Sequence, residues 1–420
     1  MVSKSICLSH PSKVVHGKVQ LTGSKSESNR ALIIQALGKG KIRVNNLSEA
    51  ADTVTLKQAL ERARQPSDET GEIIDIGPAG TAMRFLCAYL SLQPGNFLLT
   101  GSERMKDRPI GILVEALKEI GAQIGYEGKD GFPPLNIKGP LHQQSTDVSI
   151  QGNVSSQYLS ALLLVAHALP EGLTLHIENE LTSKPYLMMT LRLLEEAGIR
   201  HEWTGNSIFI QPQPVKEAVI TVEPDWSAAS YWYAIVALAE KADILLPNLK
   251  PSSLQGDQEI MTIMRSFGVL SVFTAEGLKL TKTKAVEPAT HFDFKSCPDL
   301  AQTVIACCAA LGREASFSGL ETLKIKETDR IKALQNEIAK FGVRLFEEAP
   351  EMYRLDCSKK FEPENLVIHT YEDHRMAMAF APLVLVFKQM EIEDPAVVEK
   401  SYPAFWQHLT EQGFNVIYNS

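Results

Sequence analysis

Apolar and polar positions follow a pattern that repeats along the chain. The later copies lie 71 to 75 residues apart, and the first interval is 55 residues. Each copy begins with small or polar residues and continues into an almost wholly apolar run. A helix that is apolar all round must be covered on all sides, so each run predicts an interior helix in a unit that occurs six times. The residues that mark the six starts are Ser26, Thr81, Ser156, Ser227, Leu300 and His374.

An amphipathic helix follows the buried helix in most units. Each ends at a glycine that precedes an apolar, strand-like segment, and glycine supplies the left-handed conformation that ends many helices. Each unit is thus predicted to contain strand, buried helix, strand, amphipathic helix and strand. The first unit is short, with a truncated connection expected over residues 65–77, and Pro382 is expected to kink the last buried helix. The cap glycines are Gly121, Gly198, Gly268, Gly342 and Gly413.

The length and composition of the chain narrow the class of protein. The 420 residues exceed one ordinary core, and six buried helices predict two α/β domains with three inner helices each. A net charge of -8 argues against a nucleic-acid partner. The longest apolar stretch, residues 377–387, is too short to span a membrane, and the N-terminus lacks a signal-peptide pattern. We therefore expect a cytoplasmic protein whose six cysteines are reduced and structural, without a metal site.

Basic residues gather at the starts of the predicted buried helices. A helix N-terminus carries unpaired N–H groups and a partial positive charge. Each cluster alone is more simply read as a helix cap with solvated charges, but its recurrence at one position of the unit favours binding of small multivalent anions. The basic residues are Lys25, Arg30, Arg84, Arg108, Lys326, Arg330, Arg375 and Lys400.

Ten motifs in order carry a resemblance to a known family. They are GSKSESNRA, AGTAMR, RMKDRPI, SSQYL, SKPY, QGD, PDLA, KETDR, DHRMAMA and KSYPAFW. In these motifs the chain resembles the 3-phosphoshikimate 1-carboxyvinyltransferases, which belong to the enolpyruvyl transferases. The resemblance implies a two-domain inside-out α/β barrel of six βαβαββ units, the first one shortened. It also implies a discontinuous domain, 1–22 plus 223–420, and an inserted domain, 23–222, with three units in each.

The resemblance also implies site residues. The implied catalytic residues are Asp299, Glu327 and Lys25. The implied ligands of shikimate 3-phosphate are Lys25, Ser26, Arg30, Ser155, Ser156, Gln157, Ser183, Tyr186, Asp299, Thr322 and Lys326. The implied ligands of phosphoenolpyruvate are Lys25, Gly80, Thr81, Arg108, Gln157, Arg330, His374, Arg375 and Lys400. Other residues expected near the substrates are Asp52, Arg84, Arg104, Asp225, Asp257 and Asp373.

The family reaction is addition followed by elimination. The 5-hydroxyl of shikimate 3-phosphate attacks C2 of phosphoenolpyruvate, and the adduct then loses phosphate. One group must take the hydroxyl proton and another must protonate carbon; Asp299 is expected in the first role and Glu327 in the second, assisted by Lys25. We expect no cofactor, because the cationic cluster itself stabilises the leaving phosphate. Domain closure and a monomeric enzyme are also expected.

Two alternatives stay open at this point. A UDP-N-acetylglucosamine enolpyruvyl transferase would share the fold, but such enzymes typically have a cysteine in a loop that here reads GSERMKDRPIG. A non-catalytic anion-binding relative is suggested by the short first unit and by three departures from the family pattern. Pro78 and Thr322 stand where asparagine is usual, and Phe85 stands where proline is frequent. The retained carboxylates and cations argue against this second alternative.

Overall fold

A computed structural model describes residues 4–64, 71–153, 155–285 and 289–419. The α-helices are α1 (Lys25–Leu37), α2 (Ala51–Ala63), α3 (Gly80–Leu90), α4 (Glu103–Lys106), α5 (Gly111–Ile120), α6 (Ser156–Ala166), α7 (Lys184–Glu196), α8 (Trp226–Leu238), α9 (Ile260–Arg265), α10 (Ala301–Leu311), α11 (Arg330–Ala339), α12 (His374–Phe380) and α13 (Phe405–Glu411).

The strands run between these helices. They are β1 (Ser5–Ser9), β2 (Val14–Lys18), β3 (Ile42–Asn45), β4 (Glu72–Asp75), β5 (Gly95–Thr100), β6 (Gln123–Tyr126), β7 (Leu135–Gly139), β8 (Asp147–Gln151), β9 (Leu173–Glu178), β10 (Glu202–Thr204), β11 (Ser207–Ile210), β12 (Ala218–Thr221), β13 (Lys241–Pro247), β14 (Val269–Thr274), β15 (Gly277–Lys282), β16 (His291–Asp293), β17 (Ser316–Ser318), β18 (Arg344–Ala349), β19 (Met352–Asp356), β20 (Val367–Ile368), β21 (Gln389–Glu393) and β22 (Asn415–Asn419).

The chain divides into two compact units. The discontinuous unit comprises Met1–Thr22 and Glu223–Ser420, and the inserted unit comprises Gly23–Val222. The described strands form six sheets, three in each unit. In each unit three helices pack against one another, α1, α3 and α6 in the inserted unit and α8, α10 and α12 in the discontinuous unit. These are the six helices that the apolar runs predict.

The inserted unit contains the shortened repeat. Its four-stranded sheets have the orders β4-β5-β7-β6 and β10-β11-β9-β8, whereas the described part of its third sheet is only β12 beside β3. β3 pairs in parallel with β12, with Ile42 opposite Ala218. These paired strands come from the two ends of the unit's sequence. The expected truncated connection after α2 falls partly on residues 65–70, which lie outside the described ranges. The two-stranded sheet accounts for the short first interval of the repeat.

The first two strands of the chain belong to two different sheets of the discontinuous unit. β2 pairs in parallel with β13 in the sheet β14-β15-β13-β2. β1 lies between β21 and β22 and is antiparallel to both, so the N-terminal strand completes the sheet of the last repeat. The remaining sheet has the order β16-β17-β19-β18. Long-range pairing of the two chain ends therefore closes this unit.

The helix ends follow the sequence signals. All five predicted cap glycines have positive φ, from 77° at Gly268 to 115° at Gly121, which confirms the predicted left-handed caps. At the last buried helix, α12 ends at Phe380 and a 3-10 turn follows over Ala381–Leu385. Pro382 has no N–H with which to continue the α-helical hydrogen bonding. All six cysteines are free thiols, as predicted. Within the described ranges, every helix falls short of what a membrane crossing requires.

Candidate active site

A carboxylate surrounded by cations lies in the turn before α10 of the discontinuous unit. Asp299 accepts hydrogen bonds from Arg330 Nη1 at 3.0 Å and from Arg375 Nη2 at 2.9 Å. Lys326 Nζ lies 3.8 Å from its Oδ1. Burial alone would raise the pKa of Asp299, but Arg375, Lys326 and Arg330 together lower it well below its usual range. Asp299 is therefore ionised at neutral pH.

Arg330, the first residue of α11, joins three carboxylates. Besides Asp299, its guanidinium donates to Glu327 at 2.9 Å and to Asp373 at 2.7 Å. Burial opposes charge on Arg330, but Asp373 and the other two carboxylates raise its pKa above the ordinary value. The other oxygen of Glu327 lies 3.1 Å from Lys400 Nζ. One buried guanidinium thus fixes the relative positions of both expected catalytic carboxylates.

The start of α12 adds a second guanidinium to this cluster. Asp373 caps the helix by accepting from the backbone N–H of Arg375 at 2.9 Å. The Arg375 side chain also donates to Ser227 Oγ at 3.3 Å and to Tyr231 OH at 3.4 Å. His374 is buried, with its Nδ1 3.5 Å from Asp373. Ser227 and Tyr231 were not predicted as site residues, although Ser227 marks a repeat start and Tyr231 lies one helical turn later.

Asp257 is a buried acid at the edge of the same cluster. Its side chain accepts a hydrogen bond from Ser227 Oγ. Its Oδ1 is buried and has no hydrogen-bond partner among the described residues. Burial, with a further contribution from the neighbouring Asp299, raises the pKa of Asp257 to about 7. The protonated and the ionised forms of Asp257 therefore have similar free energies near neutral pH.

The starts of four helices thus meet in the discontinuous unit. Four carboxylates and four cations form the group: Asp257, Asp299, Glu327 and Asp373 with Lys326, Arg330, Arg375 and Lys400. An anion that enters must compete with these carboxylates for the cations. The four cations nevertheless offer several charge-assisted hydrogen-bond donors that are already in position.

In the inserted unit, the start of α1 presents a lysine and a buried arginine. Lys25 Nζ lies 3.2 Å from Asp52 Oδ2 at the start of α2. Arg30 is 2% exposed, and burial lowers its pKa to about 10. Its guanidinium donates to Thr190 Oγ1 at 2.7 Å, to Ser160 Oγ at 3.1 Å and to the Ser26 carbonyl at 2.8 Å.

Three bonds leave part of the Arg30 guanidinium available. A guanidinium has five N–H groups, so two of them have no bond to a residue that the structure describes. Thr190 and Ser160 were not predicted as site residues. A signal was present in the sequence, because each is a hydroxyl residue within a mostly apolar helix. Their burial in α7 and α6 is explained by their bonds to Arg30.

The start of α3 is approached closely by two arginines. A Cβ atom on Gly80 would lie 2.5 Å from Arg108 Nη1, so only glycine leaves space for that guanidinium. Arg108 is 8% exposed, and its Nε has no hydrogen-bond partner in the described part of the chain. Arg84 donates to the carbonyls of Gly80 at 3.1 Å and Pro109 at 2.9 Å. A buried, under-bonded guanidinium beside a helix N-terminus favours an anion as its partner.

The start of α6 is joined to the start of α3. Gln157 Nε2 donates to Thr81 Oγ1 at 3.1 Å. Ser155 caps α6 by accepting from the backbone N–H of Gln157 at 3.4 Å. Tyr158 OH donates to the Pro109 carbonyl at 2.6 Å, which ties α6 to the segment that follows Arg108. The predicted residues of these two helix starts are therefore brought together.

Five other predicted ligands lie at helix starts and in turns. Ser26 and Ser156 are half-buried at the starts of α1 and α6. Ser183 is buried in a left-handed conformation before α7, and the Tyr186 ring centre lies 6.0 Å from the Arg30 guanidinium carbon. Thr322 lies in the 3-10 turn Glu321–Ile325, and its Oγ1 is buried without a hydrogen bond to a described residue.

Comparison with known proteins shows what the chain is similar to. Residues 9–409 match the family model described as EPSP synthase (3-phosphoshikimate 1-carboxyvinyltransferase). The 3-phosphoshikimate 1-carboxyvinyltransferase of Bacteroides fragilis (strain YCH46) is 46% identical over 410 residues, which cover 97% of this chain and 98% of that protein. The enzyme of the same name from Sulfurovum sp. (strain NBC37-1) is 33% identical over 427 residues, covering 95% of this chain and 97% of the relative.

Two solved structures show the same fold. EPSP synthase from Acinetobacter baumannii aligns with a TM-score of 0.75 at 22% identity, over 98% of this chain and 99% of that chain. The enolpyruvyl transferase NikO from Streptomyces tendae aligns with a TM-score of 0.71 at 14% identity, over the full length of both chains. The fold expected from the resemblance is confirmed. Because both likenesses are below 25% identity, they carry no information on substrate.

Proposed function

Because this chain belongs to the EPSP synthase (3-phosphoshikimate 1-carboxyvinyltransferase) family, we infer that it transfers the enolpyruvyl group of phosphoenolpyruvate to shikimate 3-phosphate. The acceptor is the 5-hydroxyl, and the products are 5-enolpyruvylshikimate 3-phosphate and phosphate. The reaction belongs to aromatic amino-acid biosynthesis. The near full-length relationship to enzymes of this name removes support from the UDP-N-acetylglucosamine alternative.

The observation that carries the chemistry is the environment of Asp299. Three cations keep its carboxylate ionised within the protein, and a substrate anion that takes these cations as partners would weaken their hold on Asp299 and raise its basicity towards a hydroxyl that attacks beside it. A general base works only when it is unprotonated and within hydrogen-bond reach of the reacting group. A non-catalytic anion-binding protein would have no need of a carboxylate that competes with the anion for the same cations.

Glu327 is proposed to deliver the proton to the methylene carbon. It lies between Arg330 at 2.9 Å and Lys400 at 3.1 Å. These contacts hold the carboxylate in one orientation, and as an ionised group it can only relay a proton, which it is proposed to take from Lys400 Nζ and pass to the methylene carbon. Lys25, which forms an ion pair with Asp52 within the inserted unit, is proposed as the third catalytic residue.

The substrate ligands are proposed by unit. In the inserted unit we assign to phosphoenolpyruvate Gly80, Thr81 and Arg108, and to shikimate 3-phosphate Ser26, Arg30, Ser155, Ser156, Gln157, Ser183 and Tyr186. In the discontinuous unit we assign Lys326 to shikimate 3-phosphate, and Arg330, Arg375 and Lys400 to phosphoenolpyruvate. The burial of Arg108 without a bond at Nε supports an anionic partner, because a buried guanidinium needs compensation. Domain closure, a monomeric active form and a cytoplasmic location stay predictions.

Phosphate release tests the proposed function. The purified chain is incubated with phosphoenolpyruvate and shikimate 3-phosphate together, and with each substrate alone. We expect release only when both are present, together with formation of the enolpyruvyl product by mass spectrometry. Release with UDP-N-acetylglucosamine in place of shikimate 3-phosphate, or no release with either acceptor, would contradict the assignment.

A further inference from the structure

A fully buried glutamate lies two helical turns beyond the candidate site. Glu337 in α11 has 0% exposure, and its two oxygens have three donors. Tyr371 OH donates to Oε1 at 2.7 Å, and the backbone N–H of His369 donates to Oε2 at 3.0 Å. Lys340 Nζ donates to Oε2 at 2.6 Å and also to the Val367 carbonyl at 2.8 Å. The carboxylate therefore holds the segment that runs from β20 towards α12.

That segment contains an unfavourable backbone turn. Tyr371 and Glu372 have φ of 55° and 56°, a left-handed conformation that residues with a Cβ seldom adopt in succession. The N–H of Asp373 donates to the Thr370 carbonyl at 2.9 Å and closes the turn. Turns of this kind usually take glycine or asparagine at both central positions. Neither residue is present here, so contacts outside the turn must stabilise it.

The turn leads directly into the candidate site. Asp373 caps α12 and accepts from Arg330, and Arg375 donates to Asp299. Arg330 and Glu337 are seven residues apart on α11, which places them on one helix face about 10 Å apart along its axis. This face therefore holds the chain on both sides of the turn, by Glu337 before it and by Arg330 after it.

We propose that Glu337 is a positioning residue of the reaction. By fixing His369 and Tyr371, it stabilises the left-handed turn and so sets where Asp373 and Arg375 are presented to substrate. The inference rests on the proposed function, because Arg375 is assigned there to phosphoenolpyruvate. Glu337 itself touches no reacting atom. Its loss should act on the binding and orientation of phosphoenolpyruvate rather than on proton transfer.

Two substitutions, one more disruptive than the other, test the proposal. Glu337→Gln keeps the shape but removes the charge that faces Lys340, and one donor must be left without its acceptor. Tyr371→Phe removes a single hydroxyl and keeps the ring. We expect kcat/KM for phosphoenolpyruvate to fall about 10-fold in the first and about 3-fold in the second, mostly through KM, since small misplacements of substrate ligands are costly. Glu348→Gln, which removes an exposed partner of Arg354 in the same unit, is the matched control and should equal wild type.

A double-mutant cycle separates positioning from general destabilisation. Circular dichroism first establishes that each variant is folded at the assay temperature. If Glu337 acts through Asp373, Glu337→Gln combined with Asp373→Asn should cost clearly less than the product of the two single losses. Fully multiplicative losses, or a folded Glu337→Gln with kcat/KM within about 2-fold of wild type, overturn the proposal. If Glu337→Gln does not fold, Tyr371→Phe is judged by the same two criteria. An inactive wild type would instead overturn the proposed function.

Discussion

The two units hold their cations in different ways. In the discontinuous unit Arg330 and Arg375 donate to carboxylates within 3.0 Å, so the charges there are largely compensated before any ligand arrives. In the inserted unit Arg30 and Arg108 are buried, and neither donates a hydrogen bond to a carboxylate of a described residue, although the charge of Glu27 acts on Arg30. Arg30 is held by hydroxyl and carbonyl oxygens instead.

The two arrangements suit two different tasks of the same reaction, the orientation of a base and the binding of an anion. A compensated cluster can keep a base ionised and orient it, because each carboxylate is fixed by its cation. An uncompensated guanidinium is unstable until an anion arrives, so its unmet charge favours ligand binding. We therefore expect substitutions of Asp299 and Glu327 in the discontinuous unit to affect turnover most, and substitutions around Arg30 and Arg108 in the inserted unit to affect ligand affinity and the stability of the free protein.

Loss of the Asp299 charge should produce the largest effect. Asp299→Asn keeps the side-chain shape but removes the base, and we expect kcat to fall about 10³-fold, a typical cost of losing a general base. Binding of shikimate 3-phosphate, measured by calorimetry, should persist in part. The control is Asp293→Asn on β16, an exposed carboxylate of the same unit. A variant that retains more than about a tenth of wild-type turnover would exclude Asp299 as the base.

Removing a neutral acceptor of Arg30 should destabilise the free protein. Thr190→Val is close in volume but leaves the buried Arg30 Nε without its 2.7 Å acceptor. We expect a loss of about 2 to 3 kcal/mol in the free energy of unfolding by denaturant titration. Saturating shikimate 3-phosphate should restore part of it if that ligand bonds to Arg30.

A matched substitution is available in the same unit. Thr53 is buried, and its Oγ1 has no hydrogen-bond partner among the described residues. Thr53→Val should therefore leave the free energy of unfolding unchanged or raise it slightly. Equal losses in the Thr53 and Thr190 variants would show that Arg30 does not depend on its neutral acceptors.

The space beside Gly80 should control affinity for phosphoenolpyruvate. In Gly80→Ala the new methyl would lie 2.5 Å from Arg108 Nη1 and must displace the guanidinium. We expect KM for phosphoenolpyruvate to rise about 10-fold, equivalent to about 1.4 kcal/mol, with a smaller change in kcat. Steady-state kinetics measure both. A change confined to kcat would place the role of Arg108 in catalysis and remove the contrast between the units.

Local signals allowed much of the fold to be predicted. The buried helices and the five glycine caps depend on periodicity and on backbone conformation within a few residues, and both are visible in the sequence. The family resemblance added the overall architecture and the expected ligands. Within the discontinuous unit the structure brings Asp299, Arg330 and Arg375 together, and their roles towards the substrates stay predictions.

What was missed depends on contacts between distant residues. The acceptors of Arg30 lie on α6 and α7, 130 and 160 residues along the chain. The insertion of β1 between β21 and β22 joins the two ends of the chain. The role of Glu337 follows only from its burial against the turn at Tyr371. No periodic pattern encodes such partners, because each is set by how the helices and sheets pack together.

The last prediction concerns pH and Asp257, the buried acid whose Oδ1 has no hydrogen-bond partner among the described residues. Burial raises the pKa of Asp257 to about 7 in the folded chain, compared with about 4 when unfolded. The folded state therefore binds this proton more tightly, so the stabilisation is complete below about pH 4 and is lost as pH rises through 7. Asp257→Asn does not titrate and should be more stable than wild type at pH 8, by at most about 4 kcal/mol for a shift of about three pKa units.

The difference between the two proteins should shrink as the pH falls to 5, because wild-type Asp257 then regains its proton. Denaturant titrations of both proteins at pH 5 and pH 8 measure this difference, and the effects of groups that do not interact with Asp257 cancel in it. Asp299, Arg375 and Asp225 also act on Asp257, and Arg375 opposes the shift. A pH-independent difference would mean that Arg375 compensates Asp257 as fully as it does Asp299, and that the discontinuous unit has no under-compensated acid.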